Sequence, residues 1–209
     1  MPAPYVLQPL PGDWRNDTAV ERRVRHRTEV VERTGGRMFV ERLRYRWTSG
    51  TPVPSHRGGL TFREVGGDEE AIGLLARILP GTLDAYSLAD VARSSVDDHA
   101  RVQYHDELLS YPSPRAWWRI GVRPDGEPVG LVVPARSPNG FVIAYLGVVD
   151  GRRGRGFVDD LLAEGTRLLA AQGAERVTAD TDLGNRPMAR AFERAGYDNF
   201  AGRIDMCWD

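Results

Sequence analysis

The sequence predicts an α/β (α+β) fold whose central sheet is mixed, mainly antiparallel and about seven strands wide, with helices on both faces. Three strand candidates, 117–122, 129–133 and 141–149, follow one another through turns that contain Asp125-Gly126 and Asn139-Gly140. Asp-Gly and Asn-Gly turns favour antiparallel hairpins. Downstream, helical and strand patterns alternate, which is typical of a sheet covered by helices.

Length and composition favour one globular unit with an extension. The chain has 209 residues, 41% of them apolar and 27% charged, which suits one sizeable core. We divide it into an amino-terminal arm, helix and strand extension (1–58) and a main domain (59–209). No apolar run approaches the ~20 residues of a membrane helix. Residues 1–14 have neither a basic leader nor an apolar core, so we expect a cytoplasmic protein that binds no membrane.

Charge and cysteine content argue against two further classes of protein. The formal net charge is -1, and all 28 basic side chains are arginine. This balance argues against a dedicated nucleic-acid binder. Cys207 is the single cysteine, so no disulfide forms within the chain and no cysteine-based zinc cluster is expected. We predict no metal site.

The extension begins with a proline-rich stretch, 1–16, which predicts an irregular arm. A polar helix over 18–33 follows, with Asp17 as its N-cap and Gly35-Gly36 beyond its end. Alternating residues predict a strand over 38–48. We expect the extension either to add one strand to the sheet edge or to exchange into a neighbouring subunit of a homodimer.

The main domain begins after a linker that contains two prolines and two adjacent glycines. Its predicted elements, besides the three strands above, are strands over 60–65, 176–181 and 203–208 and helices over 68–79, 88–109, 156–171 and 187–195. Trp117 and Trp118 occupy adjacent strand positions and are expected on opposite faces.

A glycine-rich arginine turn connects the strand 141–149 directly to the helix that starts at Gly156. Amide hydrogens in the first helical turn lack partners, and glycines let an anion approach them. The segment therefore predicts a polyanion site, although a solvated arginine loop is the alternative. The residues assigned to this site are Val148, Val149, Arg153, Gly154, Arg155, Gly156, Phe157 and Val158.

A second segment about thirty residues later strengthens this interpretation. Asn185 follows a strand and opens a helix, Phe192 lies within that helix, and Gly196-Tyr197 ends it. Together the two segments resemble the GNAT superfamily of acyl-CoA N-acyltransferases over about residues 60–208. The family's Arg/Gln-x-x-Gly-x-Gly/Ala signature is matched by Arg153 and Gly156, with Val158 at its last position.

The resemblance implies a GNAT-like fold and acetyl-CoA as cosubstrate, held by the eight residues of the turn together with Asn185 and Phe192. It also implies transfer of an acetyl group to a primary amine of a small molecule by direct attack. Phe192 stands where many members of the family have a tyrosine that protonates the leaving thiolate. A catalytically silent acyl-CoA sensor or interaction module is therefore the alternative function.

The candidate catalytic residues are Tyr145, Asp182 and Tyr197, with an amide hydrogen near Val148 as donor to the developing oxyanion. Asp180 is a further candidate base. Two of these residues also have a purely structural alternative: Asp182 in a turn or helix cap, and Tyr145 as a core aromatic. We expect the amine acceptor to bind against residues 88–109. The polar residues there are Asp97, Asp98, His99, Tyr104, His105 and Asp106. The alternative is that these residues form only a solvated helix face.

Overall fold

The computed structural model describes residues 5–208, which form one eight-stranded mixed sheet flanked by helices. This confirms the predicted fold class. The strands are β1 (Tyr5–Pro11), β2 (Gly36–Thr48), β3 (Thr61–Arg63), β4 (Arg119–Val122), β5 (Pro128–Ser137), β6 (Gly140–Val148), β7 (Arg176–Asp182) and β8 (Asp198–Trp208). The helices are α1 (Thr18–Arg33), α2 (Asp68–Ile78), α3 (Ala85–Val91), α4 (Val96–Val102), α5 (Phe157–Ala171) and α6 (Arg186–Arg194).

The sheet order is β1-β8-β2-β7-β6-β5-β4-β3. Strands β4 to β6 form the expected antiparallel run, β3 pairs antiparallel with β4 beside it, and β6 and β7 are parallel neighbours. Successive side chains of β5 lie on opposite faces of the sheet. Leu131 and Val133 pack in a core with α2 and α4 on one face, and Val132 packs in a core with α5 and α6 on the other. No helix within 5–208 is long and apolar enough to cross a lipid bilayer.

The prediction of an irregular arm over 1–16 is wrong from Tyr5 onward. Residues 1–4 lie outside the described part of the chain. Tyr5–Pro11 is a strand, β1, that pairs antiparallel with β8 and has a register shift between Leu7 and Leu10. Proline lacks an amide hydrogen, and an edge strand such as β1 tolerates it because one side of the strand needs no sheet partner. The proline content therefore concealed an edge strand.

Strand β2 lies inside the sheet rather than at the expected edge. It pairs antiparallel with both β7 and β8. Its side chains Tyr45 and Trp47 are 1% and 2% exposed, as the alternating pattern predicted. Helix α1 begins as predicted, because the Asp17 carboxylate accepts the amide hydrogens of Ala19 and Val20.

The single helix expected over 88–109 is divided. Asp84 and Ser95 each accept an amide hydrogen and cap separate short helices, α3 and α4. A π-helical turn over Gln103–Glu107 and a 3-10 turn follow α4. Trp117 and Trp118 precede β4 instead of lying in it, yet they pack into the two opposite cores as expected.

Strands β6 and β7 separate soon after they meet. Their parallel pairing is confined to Phe141 with Val177 and Val142 with Thr178. Beyond these pairs β6 continues along β5, whereas β7 continues along β2. The sheet therefore opens into a cleft at the carboxyl ends of β6 and β7, beside Val148, whose amide hydrogen is the candidate donor to the oxyanion.

Candidate active site

A cavity of about 660 Å³ occupies this cleft. Residues of β6 and β7 line its sides, and the loop before α5 closes one end together with the start of α6. The opposite end is lined by α3, α4 and the π-helical turn. The two ends differ in charge, because backbone amide hydrogens lie at one end, whereas at the other the carboxylates of Asp84, Asp90 and Glu107 outnumber the guanidinium of Arg42, which pairs with Asp84 at 3.5 Å.

The loop before α5 presents unpartnered donors to the cavity. Gly154 and Gly156 have φ angles of +75° and +82°, a backbone region that side chains disfavour. The amide hydrogens of Gly154, Gly156, Phe157 and Val158 donate to no acceptor within residues 5–208. These four residues all line the cavity. The helix dipole of α5 adds positive potential at the same point.

The arginines of the loop have different partners. Arg153 lines the cavity, and its guanidinium donates to the carbonyls of Val148 at 3.2 Å, Gly81 at 2.5 Å and Ile78. It therefore fastens the loop to β6 and to the end of α2. Arg155 is exposed and has no partner within the described chain.

Arg57, in the linker, is a cation near the loop that the sequence did not single out. A Cβ atom built on Gly156 would lie 3.3 Å from its Nη1 atom. Asp159, in the first turn of α5, pairs with Arg57 at 2.7 Å and with Arg194 at 2.6 Å. These contacts partly neutralise a carboxylate that would otherwise repel an anion at the helix start.

Asn185 and Phe192, which the resemblance assigns to the cofactor site, both line the cavity. The Asn185 side chain caps α6 by accepting the amide hydrogen of Met188 at 3.3 Å. The Phe192 ring is 2% exposed and stacks on Tyr45 at 4.9 Å between centroids. Phe192 therefore gives this part of the cavity an apolar wall.

Val148 and Tyr145 lie on β6 beside the opening. Val149 donates its amide hydrogen to Val129 on β5 and is outside the cavity lining. Because amide directions alternate along a strand, the amide of Val148 is directed away from β5, towards the cleft. Burial, reinforced by the charge of Asp84, raises the pKa of Tyr145 above its ordinary value, so its phenol stays protonated at neutral pH.

Asp182 and Tyr197 lie outside the cavity lining. Asp182 is 4% exposed, accepts the amide hydrogen of Ala85 at 2.7 Å and pairs with Arg42 at 3.2 Å. Asp182 therefore caps the start of α3, which is the structural role that the sequence offered as the alternative to catalysis. Tyr197 is 3% exposed, and its hydroxyl lies 2.7 Å from that of Thr166 in the core.

The carboxylate end of the cavity contains His99, Gln103 and Glu107 at intervals of four residues. A π-turn contains more residues than an α-turn, so side chains four apart stay closer to one face. Asp84 and Asp90 face this group from α3 and its cap, and Asp180 faces it from β7. The Glu107 side chain is exposed at the surface, but nearby protein removes part of the hydration of its carboxyl, and this desolvation raises the pKa of the carboxyl above the ordinary value.

The polar cluster predicted over 97–106 divides between the cavity and the surface. His99 lines the cavity, whereas Asp98 bonds to Ser95 at the cap of α4 and Tyr104 donates to Asp68 at 2.8 Å. Asp97, His105 and Asp106 are exposed. Sequence reasoning missed Glu107, although its spacing from His99 is a signal for a shared helix face. The cavity carboxylates form no candidate metal cluster, nor does any other group within 5–208.

Comparison with known proteins agrees with this geometry. Residues 82–197, more than half of the chain, match the model of the acetyltransferase (GNAT) family. No curated protein sequence matches the chain. A GCN5-related N-acetyltransferase from Sphaerobacter thermophilus superposes with a TM-score of 0.61 at 20% identity, over 98% of this chain and 59% of that chain.

Two further structures are similar. A GCN5-related N-acetyltransferase from Kribbella flavida has a TM-score of 0.57 at 17% identity and covers 85% of this chain and 62% of its own. A glucosamine N-acetyltransferase region in a fungal multi-domain GH3 beta-N-acetylglucosaminidase has a TM-score of 0.61 at 14% identity, over 95% of this chain and 24% of that one. At these identities the likeness concerns the fold, and this chain spans under two thirds of each of these proteins.

Proposed function

Because the chain belongs to the acetyltransferase (GNAT) family, we propose that it transfers an acetyl group from acetyl-CoA to a primary amine of a small molecule. The observation that carries the proposal is the row of unpartnered amide hydrogens at the start of α5, in a cavity whose other end is acidic. One end suits a pyrophosphate, and the other suits an ammonium group.

The residues at the start of α5 fit the pyrophosphate of acetyl-CoA. Gly154, Gly156, Phe157 and Val158 offer amide donors, and Arg155 and Arg57 offer guanidinium groups close by. Charge-assisted hydrogen bonds of this kind contribute ~1.5–3 kcal/mol each. Arg153 is assigned a positioning role, because its donors are already bonded to protein carbonyls. Phe192 and Asn185 line the neighbouring part of the cavity, where Phe192 forms an apolar wall.

Acetyl-CoA, when bound, supplies a thioester carbonyl and a thiolate leaving group. The amide hydrogen of Val148 is directed into the cleft and would donate to an oxygen that gains negative charge. Glu107 is our candidate general base, since a raised pKa makes its carboxylate a better proton acceptor for the attacking amine. The protonated phenol of Tyr145 is a candidate proton donor. This function needs neither Asp182 nor Tyr197.

The proposal is tested by a thermal-shift titration with acetyl-CoA, comparing Gly156→Glu with Gly173→Glu. Both glycines have positive φ, +82° and +80°, so both variants introduce similar backbone strain, but Gly173 follows the far end of α5. Ligand at a hundred times its Kd stabilises by ~2.7 kcal/mol, or roughly 5–10 °C for a chain of this size. We expect the shift in the wild type and in Gly173→Glu, and its loss in Gly156→Glu. Absence of a shift in the wild type would refute the proposal.

A silent acyl-CoA sensor is the second candidate, and the phenylalanine at position 192 is the observation that favours it. Phe192 carries no hydroxyl to protonate a thiolate at this wall of the cavity. Release of free CoA thiol in the presence of amines distinguishes the two functions. Binding of acetyl-CoA without thiol release across a panel of primary amines would favour the sensor.

A further inference from the structure

The acidic end of the cavity contains two buried polar side chains with unused atoms. His99 is 4% exposed and Gln103 is 6% exposed. The Nε2 atom of His99 and the Oε1 atom of Gln103 have no hydrogen-bond partner within residues 5–208. Both side chains line the cavity. A buried polar atom without a partner costs stability, so its presence in a cavity points to a ligand that completes it.

Both unused atoms can accept a hydrogen bond. The Nδ1 atom of His99 lies 3.9 Å from the Asp90 carboxylate, and the neutral ring tautomer with its proton on Nδ1 carries a lone pair on Nε2. Gln103 interacts with the Glu107 carboxylate, which occupies its amide hydrogens and leaves Oε1 as the free acceptor. Together with the carboxylate of Asp90, these atoms give this end of the cavity negative charge and hydrogen-bond acceptors. Such a site suits a ligand that has only hydrogen-bond donors.

The hydrogen-bond acceptors Asp90, His99 and Gln103 lie apart from the place where the acetyl group is transferred. The charges of Asp84 and Glu107 act on Tyr145, on β6 beside the cleft. His99, Gln103 and Glu107 follow one another at intervals of four residues along α4 and the π-helical turn, so His99 lies about two helical turns from Glu107. Asp90 lies beside His99, with 3.9 Å between its carboxylate and the Nδ1 atom. Apolar side chains, including Leu83 and Leu108, line the same region.

We infer that the acceptor is an aliphatic diamine, whose second ammonium group binds to Asp90, His99 and Gln103 while its first amine is acetylated beside Glu107. The inference rests on the proposed function. An ammonium group has three donors and no acceptor, which complements the unused atoms of this set. The apolar lining favours a methylene chain over a hydroxylated sugar ring between the two amines.

The test compares putrescine with butylamine, which has the same carbon chain and one amine, and with glucosamine. Acetyl transfer is followed by release of CoA thiol at saturating acetyl-CoA. We expect kcat/KM for putrescine to exceed that for butylamine by about 10-fold to 100-fold, the range of charge-assisted hydrogen bonds. The ratio should fall towards one in Asp90→Asn and in Gln103→Leu, and persist in Asp106→Asn, which removes an exposed carboxylate outside the cavity.

Equal kcat/KM for putrescine and butylamine in the wild type would overturn the inference, as would a preference for glucosamine. A putrescine preference that neither cavity variant reduces would also overturn it. Calorimetric titration of the same amines into the CoA-saturated protein measures the preference without acyl transfer, and wild-type protein alone suffices if a variant fails to fold. Failure of the acetyl-CoA thermal shift removes the proposed function, whereas loss of the diamine preference alone removes only this inference.

Discussion

At the residue scale, partial desolvation of Glu107 gives its carboxylate the properties of a base. Its neighbours act in opposite directions: desolvation by the nearby protein raises the pKa, whereas His99 and the hydrogen bond from Gln103 lower it. Desolvation is the larger effect. A carboxylate with a raised pKa accepts a proton more readily than one with the ordinary value.

We predict that Glu107→Gln lowers kcat/KM by about 10²–10⁴-fold, the usual contribution of a general base. In the wild type kcat/KM should rise with pH through a pKa above the ordinary Glu value, because only the deprotonated carboxylate accepts the proton of the amine. This acid limb should be absent in Glu107→Gln. Measurement of kcat/KM across pH checks both statements.

The matched control is Asp106→Asn, one residue away on the exposed face. It makes the same change of charge without altering the cavity lining. An acid limb that survives in Glu107→Gln would assign the base to another group.

At the scale of elements, the loop before α5 has two functions that its sequence combines. Its glycines free amide hydrogens for an anion, and its arginine at position 153 bonds to three carbonyls on β6, at the end of α2 and just beyond α2. The planar guanidinium directs several donors at once, which lysine cannot reproduce. The site is therefore held rigidly by a residue that need not touch the ligand.

We predict that Arg153→Lys lowers the free energy of unfolding by about 1–3 kcal/mol, because a single ammonium cannot serve all three carbonyls. Urea unfolding followed by circular dichroism measures the change. Arg155→Lys is the control, since Arg155 has no partner within the described chain, and its effect should stay within about 0.5 kcal/mol. Equal stability of the two variants would show that the carbonyl contacts of Arg153 contribute little.

At the scale of the whole molecule, the extension 1–58 is part of the sheet. Strand β2 lies between β7 and β8, and β7 has only two paired positions with β6. Removal of β2 would leave β7 and β8 without their shared neighbour, and unpaired strand edges promote aggregation. The carboxylate of Glu41 on β2 also accepts a hydrogen bond from Trp14 at 3.3 Å, which joins the arm to the same strand.

We predict that a chain of residues 59–209 does not unfold cooperatively in urea and aggregates, because β8 loses both of its neighbours and β7 keeps only its two paired positions with β6. Deletion of residues 1–12 alone, which removes only the edge strand β1, should lower stability yet preserve a single transition. Denaturation curves and size-exclusion chromatography of the two truncated chains check this. A cooperative transition in 59–209 would show that the main domain folds independently.

Local chemistry explains which features the sequence alone determined. Asp125-Gly126 and Asn139-Gly140 predicted the antiparallel meander because their turns are specified by neighbouring residues, and Asp17 predicted the start of α1 for the same reason. The glycine-rich turn predicted a row of free amide hydrogens, since helix starts always leave such donors. The prediction of the strand over 38–48, whose side chains Tyr45 and Trp47 are buried, needed only the alternation of its residues.

Tertiary structure alone decided the features that depend on distant partners. The position of β2 in the sheet, the bonding of Arg153 to carbonyls at Ile78 and Gly81, and the placement of Asp182 under α3 join residues far apart in the chain. The role of Glu107 also depends on tertiary structure, because its carboxyl loses hydration, which raises its pKa, only where other elements of the fold lie close to it. Spacing shows which residues share a helix face, but burial and charge are set by what packs against that face.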